Sequence, residues 1–213
     1  MKIIIFGSGG HSRVVTEIVL KENKHQLIGF IDPLAKNPNE KIFNLPILGG
    51  FESIPKVIKM GVKGFVVGVG NNKIRAKRFQ ELINSGLTPI KAIHPTADIG
   101  KEAKIGEGSV VSLGAIIATQ SKIGKNSIIN SGAIVEHEAQ IGNHVHIAPG
   151  AALAGRVKVK DYAFLGLRSV VKDYITIEEK AIVGAGAVVI NNVKKETTVV
   201  GIPAKKIKIV ADE

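Results

Sequence analysis

From Ile93 to Lys194 the chain reads as seventeen successive rows of six residues, and every row begins with Ile, Val or Leu. The fifth position is Ala or Ser in most rows and Val or Ile in four. A helix repeats about every 3.6 residues and a simple strand every two, so neither sustains a strict period of six over this length. The segment is an internal repeat in which each row buries one aliphatic and one small side chain and depends on its neighbours for a core. No loop interrupts it. The repeat also accounts for the composition, with 45% hydrophobic but only 4% aromatic residues: a narrow interior has room for Ile, Val, Leu and Ala and little for rings.

Residues 1–92 read differently, as a small α/β unit. Ile3 to Phe6 is an apolar strand, Gly7, Gly9 and Gly10 make a turn, and Val14, Val15, Ile18 and Val19 carry helical spacing. Leu27 to Pro33 gives a second buried strand ending in Asp32, Leu45 to Leu48 a short apolar patch, and Gly64 to Asn71 a third strand ending in glycines. Lys73 to Ser85 forms an amphipathic helix. Such alternation predicts a parallel sheet. Glycines after the first strand let a phosphate approach the backbone at a helix N-terminus, and an acid closing the second strand suits a ribose or a base. GSGGHS places Ser12 where the third glycine of a dinucleotide fingerprint belongs. About 90 residues are also too few for a full six-stranded dinucleotide domain. A mononucleotide pocket is the expectation, with a ligand-free structural turn as the alternative.

The net charge of +11 suits a polyanionic partner. Residues 1–92 carry 14 Lys and Arg against 6 Asp and Glu, and residues 93–213 carry 15 against 12. Nucleic-acid binding calls for aromatics interleaved with the basic residues, and these are lacking, so no nucleic acid is expected. Cysteine is absent, which excludes thiolate nucleophiles, disulfides and Cys-ligated metal and fits a reducing cytoplasm. The opening apolar run is too short for a signal-peptide core or a membrane span, so a soluble cytoplasmic protein without membrane contact is expected.

A six-residue repeat with aliphatic and small residues in fixed columns resembles the hexapeptide acyltransferase superfamily. The resemblance implies an all-β left-handed parallel β-helix over residues 93–194, three rows to each triangular coil, following a Rossmann-like domain over 1–92. Residues 195–213 form a tail whose VVGIPAKKIKIV stretch, Val199 to Val210, resembles the VGxPAK segment packed near the CoA site of that superfamily. In such a stack, residues eighteen apart lie about 4.8 Å above one another, which sets His137 over Gly155. His137, His144 and His146 fall within ten residues of a chain with six histidines, which predicts a chemical centre there. Solvated turn histidines are the plain alternative. A zinc site like that of the carbonic-anhydrase-like hexapeptide proteins fits poorly, because the spacings of seven and then two differ from theirs. A neutral imidazole oriented by Glu138 can take the proton of an attacking amine or hydroxyl.

GSGGHS with Asp32, GVGNN, IHPTA, NSGAIVEHEAQIG and VGIPAK together resemble the bacterial nucleotide-sugar N-acetyltransferases of the bacillosamine type, relatives of the sialic acid O-acetyltransferases. The resemblance implies transfer from acetyl-CoA to the amino group of a nucleotide-linked amino-deoxy sugar, of the UDP-4-amino-4,6-dideoxy type. It implies a homotrimer with sites between subunits and no metal. Carried over by motif, His137 is the general base, Glu138 its partner and Gly155 the N–H donor to the oxyanion. Gly9, Gly10, His11, Asp32 and Asn130 contact the nucleotide sugar, and His146, Gly184, Pro203 and Lys205 serve acetyl-CoA. Pro33 and Arg13 depart from the relatives' pattern and bear on base identity and phosphate contacts.

With no cysteine and no serine in a nucleophile elbow, direct attack in a ternary complex is expected rather than an acyl-enzyme. Two other readings stand beside it: O-acetylation of sialic acid or a related sugar, which needs no nucleotide pocket, and a non-catalytic β-helix scaffold.

Overall fold

The computed structural model describes residues 1–35, 37 and 39–207. Ile3, Ile4 and Ile5 are wholly buried, and an unbroken apolar run of this kind is satisfied by a strand covered on both faces. It forms β1 (Lys2–Phe6), paired in parallel with β2 (Gln26–Ile31) on one side. After the small hairpin of β3 (Lys41–Ile42) and β4 (Leu45–Pro46), β5 (Val62–Val67) pairs on the other side of β1. β6 (Thr88–Pro89) completes a four-stranded parallel sheet of order β2-β1-β5-β6. The helices are α1 (Gly10–Glu22), α2 (Ile54–Lys59) and α3 (Asn72–Asn84). The six residues of α2 are too few to show a helical period, so the sequence does not announce it.

Each row of the repeat yields one two-residue strand, seventeen from β7 (Ala92–Ile93) to β23 (Val188–Val189). Strands three apart pair in parallel, with residues eighteen apart in register, as in Ile128 with His146 and Ile129 with Ile147. The result is a parallel β-helix with three flat faces, beginning at Ala92–Ile93, Asp98–Ile99 and Lys104–Ile105. Row-leading aliphatics stack inside the prism, and the fifth-position Ala115, Ala133, Ala151 and Ala187 are wholly buried where two walls meet. β24 (Thr198–Val200) adds one more strand to the first face, and β25 (Lys205–Lys206) turns back antiparallel to it. The expected tail therefore begins as a continuation of the prism; its last part, Lys208 to Glu213 with the end of the VVGIPAKKIKIV stretch, lies outside the described residues.

Corners are turned at the fourth position of each row, where φ is positive in all fifteen rows from Glu102 to Gly186. The first corner joins the first face to the second, the second corner joins the second to the third, and the third returns to the first. The sixth position of each row points outward and differs by face. On the first face it runs Ala92, Val110, Ile128, His146, Phe164 and Ile182; on the second Asp98, Ile116, Ile134, Ala152, Val170 and Val188; on the third Lys104, Lys122, Gln140, Lys158 and Thr176. Val15, Ile18 and Val19 of α1 pack with Ala92, Val110 and Ile128 in one apolar cluster, so the N-terminal unit sits on the first face. The cluster ends where the outward column changes to His146.

Candidate active site

The carboxyl ends of β1 and β5 open beside His146. In a parallel sheet, the crevice beyond the strand ends at the point where strand order reverses is the natural ligand position. Here it is built by Gly7 to Gly10 and Gly68 to Asn71. Gly7 has φ +99°, and a Cβ on Gly68 would lie 2.4 Å from the Ser12 hydroxyl, so both are needed by the fold itself. Ser12 donates to the Gly68 carbonyl at 2.9 Å. The close helix–strand contact that a third fingerprint glycine provides is thus supplied from the strand side, which is why Ser12 is tolerated. Gly9, Gly10 and Gly70 are different: no atom lies within 4 Å of a Cβ built on them and none has the left-handed conformation. Nothing inside the chain requires glycine there; the missing side chains leave backbone open to a ligand.

Asp32 borders this crevice but is already engaged. Its Oδ2 accepts from the Ser8 N–H at 2.8 Å and the Ser8 hydroxyl at 2.6 Å, and Oδ1 accepts from the Leu34 N–H at 2.8 Å. The carboxylate holds the glycine turn in shape and keeps lone pairs for a ligand donor. His11, in the first turn of α1, has a buried Nε2 without a partner among the described residues, and its ring lies 6.2 Å from that of His146. Burial lowers the His11 pKa to about 3, helped by His146 and the nearby Arg75. Burial likewise lowers His146 to about 4, with Arg75 adding to it. The His146 Nδ1 meets the Gly70 carbonyl at 3.2 Å, so Nδ1 carries the proton and Nε2 accepts from the Asn130 amide at 3.2 Å. His11, His146, Asn130 and the glycine turns thus form one polar half-site.

Arg75, which the sequence reading missed, fixes this half-site. Its side chain on α3 is 1% exposed. It donates to the carbonyls of Val69, Gly70, Asn126, His144 and Val145 and to Asn72 Oδ1, at 2.8 to 3.2 Å. The rigid guanidinium fork suits this task; burial lowers its pKa to about 9. The carbonyl partners come from the loop after β5 and from the third corner, so one side chain locks the two domains together. A single basic residue in an amphipathic helix gives no signal of that role. A groove of about 1410 Å³ between α3 and the third corner reaches His146 and Phe164.

The three neighbouring histidines do not form a cluster in the chain. Three rows carry the backbone around the prism, placing His137 on the second corner, His144 on the third and His146 on the first face. His144 stacks on Tyr162 with ring centroids 4.9 Å apart, and its Nδ1 meets the Asn126 amide at 2.9 Å. It is a packing residue of the domain junction.

On the second corner, His137 lies over Gly155: a Cβ on Gly155 would fall 2.5 Å from His137 Nε2. Its Nδ1 meets Glu138 Oε2 at 3.1 Å. Hydrogen bonds from Arg156 and His137 hold the Glu138 carboxyl below the usual carboxylate range. Since a carboxylate only accepts, Nδ1 is protonated and Nε2 is the free base. The Gly155 N–H has no hydrogen-bond partner among the described residues, leaving a donor one coil from the base. An unprotonated imidazole nitrogen and an unpaired backbone N–H are therefore adjacent, the two kinds of group that acyl transfer uses. They stand on a different side of the prism from His146, His11 and Asp32, so within one chain the two groups are separated.

Gly184 lies on the first corner three coils beyond Asn130, and Pro203 and Lys205 follow in the segment between and within β24 and β25. At about 4.8 Å per coil this line spans ~14 Å along the axis from Asn130 to Gly184. No group of three or more His, Cys, Asp or Glu with metal-holding geometry occurs among the described residues. No helix among them is long and apolar enough to cross a membrane.

Comparison with known proteins places these features in one lineage. Residues 2–82 match the PglD N-terminal domain, and residues 120–155 match the bacterial transferase hexapeptide (six repeats). The chain is 35% identical over 120 residues to a UDP-N-acetylbacillosamine N-acetyltransferase of Bacillus subtilis (strain 168), covering 51% of this chain and 50% of that protein, so the match spans about half the length of this curated relative. Over 98% of both chains it superposes, with a TM-score of 0.92 and 33% identity, on PerB from Caulobacter crescentus in complex with CoA and GDP-perosamine. The acetyltransferase domain of PglB from Neisseria gonorrhoeae FA1090, in complex with acetyl coenzyme A, is 28% identical with a TM-score of 0.88, covering 97% of this chain and 98% of that one. With this fold and these matches along its length, the chain belongs to the left-handed β-helix, hexapeptide-repeat acetyltransferase family of the bacterial nucleotide-sugar N-acetyltransferases.

Proposed function

We propose that the chain transfers an acetyl group from acetyl-CoA to the amino group of a nucleotide-linked amino-deoxy sugar in bacterial glycan biosynthesis, a UDP-4-amino-4,6-dideoxy sugar being the acceptor class. The observation that carries this reading is His137, held by Glu138, packed against Gly155, whose N–H has no partner among the described residues. Acetyl-CoA supplies the activated acyl group as a thioester. His137 Nε2 takes the proton as the amine nitrogen bonds to the acyl carbon, and the Gly155 N–H faces the oxygen on which negative charge develops. The C–S bond breaks, and the proton leaves with CoA as its thiol. His11, Asn130 and Asp32, with the open backbone of Gly9 and Gly10, bind the sugar, diphosphate and nucleoside. His146, Gly184, Pro203 and Lys205 line the path of acetyl-CoA.

The working unit in this reading is a homotrimer. After Asp98 the outward column of the second face is an apolar ladder, Ile116 to Val188, with Ile116 37% and Val170 45% exposed, and Leu113 and Leu167 stand exposed on the adjoining corner. A ladder of this kind suits a second copy of the chain. Second faces arranged around a three-fold axis bring the second corner of one chain, with His137, beside the first corner of the next, with Asn130. This supports joining the two halves across subunits. A cytoplasmic location accords with soluble substrates of this kind.

The test is CoA release from acetyl-CoA with UDP-, GDP- and dTDP-linked amino sugars and with free sialic acid. The chain has no cysteine, so a thiol reagent reads only the product. Turnover with a nucleotide-linked amino sugar is expected. Turnover with sialic acid alone would replace the acceptor class, and turnover with neither would favour the scaffold reading.

A further inference from the structure

Three residues stack on the second corner in successive coils: Glu138, Arg156 and Tyr174. Each occupies the fourth position of its row with φ of 58°, 61° and 60°. Of the fifteen rows with positive φ here, five carry glycine, at Gly108, Gly114, Gly132, Gly150 and Gly186, so the turn accepts glycine as well as a side chain, although a left-handed conformation is more costly for residues with a Cβ. The backbone turn therefore does not call for these side chains, yet they form a connected line. Arg156 donates to Glu138 Oε2 at 2.8 Å, the same oxygen that meets His137 Nδ1. Its other terminal nitrogen donates to the Tyr174 hydroxyl, and the guanidinium carbon lies 5.4 Å from the Tyr174 ring centroid.

Resting on the proposed role of His137 as base, we propose that Arg156, steadied by Tyr174, is a positioning residue that acts on His137 through Glu138. An exposed glutamate at a turn samples several rotamers. A guanidinium one coil below selects the rotamer in which Oε2 sits between Arg156 and His137. It also keeps that carboxyl ionised, so that the group can only accept and the imidazole proton stays on Nδ1. Nε2 is then held as the proton acceptor above Gly155. The other charged groups around this corner do not substitute for Arg156. Glu136 accepts from the His137 backbone N–H, Gln120 in the coil above is bonded to Glu102, and Lys122 and Lys158 border the shallow depressions beside Glu138 without bonding to it.

The test uses the full-length protein and the variants Arg156→Gln, Arg156→Lys, Tyr174→Phe, Glu138→Gln and the double variant Glu138→Gln/Arg156→Gln. Arg156→Gln is expected to lower kcat about tenfold, with KM for both substrates within about twofold. Arg156→Lys should recover part of the loss, and Tyr174→Phe should show a smaller loss in the same direction. In the Glu138→Gln background the Arg156→Gln change should cost under about twofold, because the group it acts through is gone. Independently of any substrate, the Glu138 side-chain carboxyl, followed by carbon NMR, should titrate at higher pH in Arg156→Gln than in the wild type. An equal loss in the Glu138→Gln background, or a raised KM for acetyl-CoA with unchanged kcat, would make Arg156 a substrate contact and overturn the inference. An unmoved Glu138 titration would overturn it too. If the wild type turns over no nucleotide-linked amino sugar, the proposed function fails, and the carboxyl titration still decides the role of Arg156.

Discussion

Replacing Gly155 with alanine tests the stacked geometry with a single methyl group. The added Cβ would lie 2.5 Å from His137 Nε2 and 2.6 Å from Cε1, against an ordinary contact of about 3.5 Å. The imidazole must therefore retreat by about 1 Å, and a displacement of that size at a reacting group costs roughly a hundredfold in rate. Stability should hardly change. Gly155 does not have a left-handed φ, and the His137 side chain, 46% exposed, can swing outward without disturbing the prism. Alanine also keeps the backbone N–H, so the proposed oxyanion donor is retained and the loss reports the displacement of His137 alone. Thiol-detected CoA release gives kcat, and a melting curve gives the control. A variant within about threefold of wild-type kcat would refute the stacking argument, as would an activity loss accompanied by a fall in Tm of many degrees.

His137→Ala should lower kcat by about a hundredfold or more with little change in acetyl-CoA affinity, the usual scale for a lost general base; steady-state kinetics at saturating substrates checks it. Arg75→Met should destabilise the fold by about 3 kcal/mol or more, because five carbonyls lose their buried donor; a fall in Tm of about 6 °C or more would register it, and an unchanged melt would contradict it. Acid should weaken the folded chain through His11 and His146. Their folded pKa values, about 3 and about 4, lie below the ordinary 6.5, so the unfolded chain binds more protons between these limits and stability falls as pH drops through that window. A loss on the order of several kcal/mol between pH 6.5 and pH 4 is expected from denaturant titrations, and a flat profile would show that the two rings are not held neutral.

Much of this architecture was legible because the repeat is strict. An aliphatic first column fixes which residues face inward, and a spacing of eighteen places His137 over Gly155 before any coordinate is known. The sixth column carries as much information: taken in threes it separates a face capped by the N-terminal unit, an apolar face and a lysine-bearing face. His137, His144 and His146 are neighbours along the chain, but the prism distributes them to three sides. Arg75 could not have been found from periodicity, since its role depends on carbonyls from residues 69 to 145 meeting at one point. Arg156 and Tyr174 are a middle case. Their positions in the fourth column were readable, but pairing with Glu138 follows only once coils are stacked.

Subunit complementation tests most directly the claim that the two halves of the site meet between chains. One partner carries His137→Ala. The other carries Gly10→Glu, which enters open space at the start of α1, is tolerated at a helix N-terminus, and sets a negative charge against a diphosphate. Each variant alone should be nearly inactive. Co-expressed and assorted at random into trimers, they should restore about a quarter of wild-type activity, because that fraction of subunit pairs joins an intact His137 to an intact glycine turn. No recovery in verified mixed oligomers would contradict the account, since a site contained within one chain would always include one of the two lesions.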